Sequence, residues 1–304
     1  MKQSKPTKVS SWIKAARLRT LPLALSSVIL GSFLAIGSAS YKPGVIALAL
    51  LTTLILQILS NFANDYGDAV KGTDNEHRLG PVRTVQSGEI SQKEMRRGII
   101  ISVVLALVSG MLLIYLSLAD QWITGLIFLV LGIGSIAAAI KYVVGNNAYG
   151  YRGFGDIFVF LFFGLLGVTG TFYLNAQYLL WSIWLPACTM GFFSTGVLNL
   201  NNMRDLDNDR NSGKMTIPVR LGSTGAWYYH AFLISLGWIA SLLFTVIHYH
   251  GIWQLMYLVM IPFFITDLIK IKNTVDKRDL DPFLKRLALS TLAFTILFGI
   301  GTIL

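Results

Sequence analysis

Residues 44–64 read GVIALALLTTLILQILSNFAN, and residues 65–78 continue as DYGDAVKGTDNEHR. A helix needs about 20 apolar residues to cross the hydrocarbon core of a bilayer, and the first stretch supplies them. It ends in amides and carboxylates. Asn61, Asp65 and Asp68 are spaced i, i+4, i+7 and share one helix face, and Asn64 with Asp68 adds a second i, i+4 pair. Eight further apolar runs surround it, giving expected spans at 21–39, 44–64, 98–119, 122–143, 155–174, 178–199, 225–247, 251–271 and 284–303. The reading is an all-α polytopic membrane protein of about nine transmembrane helices. We treat residues 1–304 as a single integral-membrane domain, with 1–19 a basic interfacial segment.

Composition agrees. Charged residues make up 13% of the chain and hydrophobic residues 54%, whereas soluble domains carry about 25% charge. That excludes an ordinary soluble enzyme, a disordered chain and a collagen-like repeat. The lone Cys188 lies in an apolar run and excludes a disulfide scaffold. The net charge of +10 does not point to nucleic acid, because the charges sit between the apolar runs. Short turns near 40–43, 119–121, 175–177 and 248–250 fall on one side, and long loops at 65–97, 144–154, 200–224 and 272–283 on the other. Of the 25 Lys and Arg, every one except Lys42 lies on the long-loop side, which the positive-inside rule makes cytoplasmic. The N-terminus is then inside and Leu304 outside. The basic start followed by an apolar run has some features of a signal peptide, but its length and its Trp12, Ile13, Arg17 and Leu18 spacing suit a surface-lying helix better.

Acidic residues also gather on the long-loop side, with only Asp120 opposite. Charge topology does not require this, so chemistry is the better cause. The run 199–209 repeats the pattern of the quoted stretch. Asn201, Asp205 and Asp209 are spaced i, i+4, i+8, and Arg210, Lys214 and Arg220 follow. The two clusters close even-numbered spans, so spans one to four and five to eight read as related halves. Two carboxylate faces at a membrane surface repel and resist burial. A divalent cation offsets both costs, and oxygen donors favour Mg²⁺ or Ca²⁺. Mg²⁺ is usually held by one or two carboxylates plus substrate phosphates. There is no G-x-x-x-x-G-K-[ST] loop for a nucleotide. A diphosphate site in a lipid-dissolved protein therefore implies a lipid diphosphate.

At these residues the chain resembles the UbiA superfamily of intramembrane prenyltransferases. Asn64-Asp65-x-x-Asp68 matches the family's first motif, with its later Asp displaced to Asp74, and Asp205-x-x-x-Asp209 matches the second. The likeness is strongest to the branch acting on 1,4-dihydroxy-2-naphthoate. It is carried by Arg19-Thr20-Leu21-Pro22, 61–74, Gly80-Pro81-Val82-Arg83 with Ser87-Gly88, Gly153-Phe154-Gly155-Asp156, and 201–216. The resemblance implies a helical bundle whose cytoplasmic loops cap a central cavity. It also implies Mg²⁺-dependent transfer of a polyprenyl group from polyprenyl diphosphate to dihydroxynaphthoate, with loss of CO₂. On that reading Asn61, Asn64, Asp65 and Asp68 hold one ion, and Asn201, Asp205 and Asp209 the other. Lys71, Arg83 and Lys214 contact diphosphate or carboxylate, with Arg204 and Lys141 as further candidates. Tyr66, Tyr149 and Phe154 are placed to steady an allylic cation. Asp156 reads equally as a helix cap or a site residue, and Asp267 as a partner of Lys270 or a cavity residue. His248 and His250 fall on the outer side, away from both clusters. Gly132-x-Gly134 is expected to permit close helix packing. Membrane lipid is the remaining partner. Two rivals are a 4-hydroxybenzoate acceptor and a secondary transporter, which would place its ionisable groups nearer the midplane.

Overall fold

The computed structural model describes residues 7–304. The first six residues of the basic segment, which the interfacial reading included, lie outside the described residues. Among the described residues there is no strand, and nine helices are long and apolar enough to cross a membrane. Helix α1 (Lys8–Ala16) precedes α2 (Leu21–Gly37). Then follow α3 (Pro43–Lys71), α4 (Gln92–Leu118), α5 (Trp122–Lys141), α6 (Gly155–Ala176) and α7 (Trp181–Arg204). A short α8 (Leu206–Asn211) leads to α9 (Ile217–Ile247), α10 (Ile252–Lys272) and α11 (Lys277–Ile303).

Local chemistry sets the helix starts. Pro22, Pro43 and Pro218 occupy first turns, and Pro262 and Pro282 stand where α10 and α11 pass from an opening 3-10 segment into α-helix, positions where a missing N–H costs nothing. Ser91 and Glu94 form a reciprocal capping box on α4. The spans run further than hydropathy indicates. With 29 residues, α3 is about 44 Å long, well beyond the ~30 Å hydrocarbon core. Its last three turns carry Asn61 to Lys71 as helix, so the i, i+4, i+7 face exists. The second cluster departs from expectation: α7 stops at Arg204, the backbone leaves helical values at Asp205 (φ −92°, ψ 13°), and α8 starts anew. Asn201 and Asp209 therefore do not share one straight face. In α9, Gly222 (φ 70°, ψ 174°) breaks the helix, a conformation that only glycine takes cheaply.

Two main cores, and a small third one around Val28, Val45, Leu113 and Leu174, hold the bundle. The larger joins α2, α6, α7, α9, α10 and α11 around Phe193, Trp238, Tyr257, Phe264, Phe294 and Phe298. The smaller packs α1 onto α3 and α4, with Trp12 edge-on to Phe62 at 5.2 Å. Ion pairs Lys8–Glu94 (2.8 Å) and Lys14–Glu89 (2.5 Å) pin α1 down. Lys42, the basic residue of the opposite face, is absorbed locally: its N–H donates to Asn175 Oδ1 and its Nζ to the Ser117 carbonyl. Asp267 pairs with Arg286 at 2.6 Å rather than with Lys270.

Glycine spacing has two outcomes. Gly164 fits against α7, where an added Cβ would lie 2.5 Å from Gly191 Cα and 2.7 Å from the Ala187 carbonyl oxygen. Gly132 and Gly134 behave otherwise, because a Cβ at either meets nothing within 4 Å. The expectation that this pair permits close helix packing is therefore wrong; neither has a neighbour to approach. Gly164→Leu is expected to cost at least about 1–3 kcal/mol through overpacking and to lower the melting temperature in detergent. Gly134→Ala is expected to hold or raise it.

Candidate active site

The charged ends of α3 and α7 meet beneath three loops. On α3, the Asp68 carboxylate accepts from Arg83 Nη1 at 2.5 Å and from the Tyr151 hydroxyl at 2.7 Å. Arg83 Nη1 also donates to the Asn64 carbonyl at 2.7 Å and lies 3.1 Å from Asp74. Asp65 is turned toward the 72–91 loop and accepts from Thr84 Oγ1 (2.6 Å), Thr84 N (3.2 Å) and Val85 N (3.4 Å). Asn61 donates to the Ala16 carbonyl (2.8 Å) and Thr20 Oγ1 (3.0 Å), which ties α3 to the α1–α2 elbow.

At the end of α7, Arg204 is fully enclosed. It donates to Asp205 through Nε (3.1 Å) and Nη2 (2.6 Å), to Asn201 Oδ1 (2.9 Å), and to Asp281 at the start of α11. Burial acts to raise the Asp205 pKa, but the Arg204 hydrogen bonds and charge outweigh it and hold the carboxyl below its ordinary value. Arg78 spans the two clusters, 3.3 Å from Asp74 and 3.7 Å from Asp205, and Arg19 meets Asp281 at 2.9 Å. The result is one chain of alternating sign: Asp68, Arg83, Asp74, Arg78, Asp205, Arg204, Asp281, Arg19. Asp209 stands apart with Lys214 Nζ at 3.5 Å. Burial would lower the Lys214 pKa, yet Asp209 and Asp68 hold it above its ordinary value, so the ammonium is charged.

Tyr151 locks the loops together. Its hydroxyl lies 2.5 Å from Thr73 Oγ1, Lys71 Nζ sits 3.9 Å above its ring, and its carbonyl accepts from Met215 N at 2.9 Å. Burial, with the Asp68 charge beside it, pushes the phenol above its ordinary value, so the hydroxyl keeps the proton it donates. Asn208 completes the lock by donating to the Thr73 carbonyl at 3.0 Å.

Below this lies a cavity of about 420 Å³. Asn61, Asn64, Asp68, Arg83, Asn201 and Lys214 line its charged end, and the rest of its wall is largely apolar. It follows α3 from Asp68 to Ala49, about 28 Å at 1.5 Å per residue. A second cavity of about 410 Å³ is edged by Lys14, Arg17, Arg19, Arg78, Arg83 and Lys285, and shares Arg17, Thr20, Arg83 and Asn201 with the first.

Of the residues singled out from sequence, Asn61, Asn64, Asp68, Arg83, Tyr149, Asn201 and Lys214 line the larger cavity. Asp65 lines the second cavity, Asp205 and Arg204 sit behind in the ion-pair network, and Asp209 pairs separately with Lys214. Lys71 is half-buried over Tyr151, and Lys141 is exposed. Tyr149 stacks on Phe158 at 4.0 Å. Tyr66 packs into the smaller core and Phe154 is exposed. Asp156 accepts from the Tyr229 hydroxyl at 3.2 Å and stays outside the cavity. Sequence reasoning missed Arg17, Arg78, Tyr151 and Asp281. Arg17 sits in the left-handed region (φ 50°) at the end of α1, with a buried Nη2 that has no partner. Tyr151 and Asp281 had no motif to mark them. Among the described residues no three His, Cys, Asp or Glu side chains form a ready-made metal cage.

Fold and site together define a polytopic α-helical membrane protein with a charged, loop-capped cavity running between its helices. The chain belongs to the UbiA prenyltransferase family, whose sequence pattern matches residues 24–298. It is 42% identical to the 1,4-dihydroxy-2-naphthoate octaprenyltransferase of Escherichia coli, over 100% of this chain and 98% of that protein. It is 41% identical to the Haemophilus influenzae protein of the same name, over 98% and 97%. Among solved structures, a UbiA homolog from Aeropyrum pernix in its apo form shares the fold with a TM-score of 0.65 at 17% identity, over 94% of this chain and 97% of that one. A UbiA homolog from Archaeoglobus fulgidus bound to GPP and Mg²⁺ shares it with a TM-score of 0.64 at 16% identity, over 95% and 99%.

Tyr151→Phe removes a hydrogen bond to a charged carboxylate and the contact with Thr73. It is expected to cost about 1.5–3 kcal/mol, read as a lower melting temperature in detergent. Tyr151→Ala, which also removes the Lys71 contact, is expected to cost more.

Proposed function

We propose that this protein transfers a polyprenyl group from polyprenyl diphosphate to 1,4-dihydroxy-2-naphthoate, releasing CO₂ and diphosphate and giving demethylmenaquinol. The observation that carries the reading is the larger cavity: apolar for most of its length, and closed at one end by amides, a carboxylate, Arg83 and Lys214. That is the shape of a molecule with a hydrocarbon tail and an anionic head. Relatives named for this reaction, matched over the whole chain, supply the acceptor.

A divalent cation fits the charged end. Its donors are hard oxygens, and Asn64 Oδ1 and Asp209 Oδ2 are buried with no hydrogen-bond partner, a condition that ion ligation resolves. We assign two Mg²⁺ ions: Asn64, Asp65 and Asp68, with Asn61 beside them, would hold one, and Asn201, Asp205 and Asp209 would hold the other. Mg²⁺ supplies charge neutralisation that makes diphosphate a better leaving group. Arg83, Lys71 and Lys214 draw the diphosphate oxygens, as charge-assisted donors do. The apolar wall excludes water from the allylic cation left when the C–O bond ionises, and Tyr149 is part of that wall. The naphthoate enters through the second, basic cavity, and its carboxylate meets the unpartnered Arg17 guanidinium where the two cavities join. The ring carbon bearing the carboxylate attacks, and departure of CO₂ restores aromaticity without a general base. The charged face is cytoplasmic in a bacterial inner membrane, following the Lys and Arg bias.

Purified protein in lipid, given a prenyl diphosphate, Mg²⁺ and dihydroxynaphthoate, is expected to yield a prenylated naphthalenediol lacking CO₂, and EDTA is expected to abolish it. Product from 4-hydroxybenzoate alone would move the acceptor assignment. Alanine at Asp65, Asp68 or Asp205 is expected to abolish turnover while the protein stays folded in detergent. Full activity in the Asp68 and Asp205 variants would sink the two-sided metal site.

A further inference from the structure

A hydroxyl inside a membrane helix usually settles on the carbonyl one turn back. Ser26 donates to the Pro22 carbonyl at 2.7 Å, and Thr195 to that of Gly191 at 2.8 Å. Their chain neighbours Ser27 and Ser194 do not. Both are almost wholly enclosed, both line the larger cavity, and neither hydroxyl has a hydrogen-bond partner. A buried polar group without a partner costs stability, so two on one cavity wall mark a place for a polar ligand atom. Helix α2 leads away from the charged end and α7 returns to it, and the two pack on each other. Ser27 comes seven residues after Thr20, and Ser194 seven residues before Asn201. Each serine therefore stands about 10 Å beneath the charged end. Between the two levels come Leu23 and Val197, which border both cavities. The junction where Arg17 stands is thus polar at its top, apolar in its middle and polar again at its floor.

We infer that Ser27 and Ser194 hold the hydroxyl at ring position 4 of the acceptor, and so select a dihydroxy over a monohydroxy aromatic acid. The inference rests on the reading of the acceptor as 1,4-dihydroxy-2-naphthoate with its carboxylate at Arg17. In that molecule the carboxylate and 4-hydroxyl oxygens lie about 5–6 Å apart, and a hydrogen bond of about 2.8 Å at each end extends the span to about 11 Å. This matches the depth of the serine level below Thr20 and Asn201. A phenol donates one hydrogen bond and accepts another, so two serine hydroxyls satisfy it. The naphthalene lies against Leu23 and Val197, while the donor's tail runs along α4 and α5, which line the larger cavity alone. The 4-hydroxyl is meta to the carbon bearing the carboxylate and feeds no electrons to its attack. The serines therefore act in recognition and not in bond making. Thr52 is the third buried, unpartnered hydroxyl on this wall. It lies sixteen residues from Asp68 on α3, about 24 Å down, beyond the reach of an acceptor held at Arg17.

The test measures kcat/KM for 1,4-dihydroxy-2-naphthoate, and the inhibition constant of 1-hydroxy-2-naphthoate against it, in wild type, Ser27→Ala, Ser194→Ala, the double variant and Thr52→Val. The double variant is expected to lose about tenfold or more in kcat/KM, carried by KM, with kcat within about threefold. Each single variant is expected to fall between it and wild type. The inhibitor lacks the 4-hydroxyl, so its inhibition constant is expected to stay within about twofold throughout. Thr52→Val is expected to leave the discrimination between substrate and inhibitor at its wild-type value. Unchanged kcat/KM in the double variant, or equal weakening of substrate and inhibitor, would overturn the hydroxyl site while leaving the acceptor reading intact. So would a Thr52 variant that shifts the discrimination as far as the double variant does. A wild-type protein that prenylates 4-hydroxybenzoate and not dihydroxynaphthoate would overturn that reading, and the hydroxyl site with it.

Discussion

A carboxylate removed from water needs a cation beside it, because the desolvation cost of an unpaired charge exceeds what packing returns. The charged end of this bundle obeys that constraint as one network. From Asp68 to Arg19 each acidic group faces an arginine, and Arg204 and Arg83 are almost wholly enclosed. Arginine suits the task because its planar fork serves several acceptors at once, as Arg83 does with Asp68, Asp74 and the Asn64 carbonyl. The network joins α3, the 72–91 loop, α7, α11 and the α1–α2 elbow. The loops that roof the cavity are thus held by electrostatics, with Ile90 and Val85 of the 72–91 loop alone anchored in the smaller apolar core.

The membrane-spanning part follows a different rule. Lipid offers no hydrophobic drive for helix association, so contact depends on shape. Gly164 against Gly191 brings α6 and α7 to backbone contact, and the aromatic cluster around Phe193 and Phe294 fills the larger core. Helix α5 takes little part in this. Its outward surface is almost entirely exposed side chain and its inner surface borders the cavity. The bundle is therefore dense on one side and open on the other, with the cavity at the boundary.

Much of this was legible in the residues. Nine apolar runs gave nine membrane-length helices among the described residues, and the distribution of Lys and Arg marked their shared charged side. The face of Asn61, Asp65 and Asp68 was visible because a 3.6-residue period survives any error in helix ends. The bend at Asp205 was not, since Asp205 carries no Gly or Pro to announce it and the turn is fixed by Arg204 and its distant partner Asp281. Tyr151 was invisible for the same reason: it matters through contacts with Asp68 and Thr73, more than 70 residues away in sequence, and Arg17 read as one more basic residue of the surface helix. Gly132 misled for the opposite reason. Spacing alone reads small residues as packing contacts, and only the neighbours tell a contact from an opening.

Asp281 lies near the head of α11, yet it supplies the counter-charge for Arg204 and Arg19. During synthesis the chain threads into the bilayer from its amino end, so both arginines are in place well before their partner. Until α11 inserts, the roof carries an excess of positive charge and has nothing to close upon. Closure of the charged end is thereby tied to insertion of α11, and a nascent chain stalled before that span would present an unsealed, cation-rich mouth to whatever surveys unfinished membrane proteins.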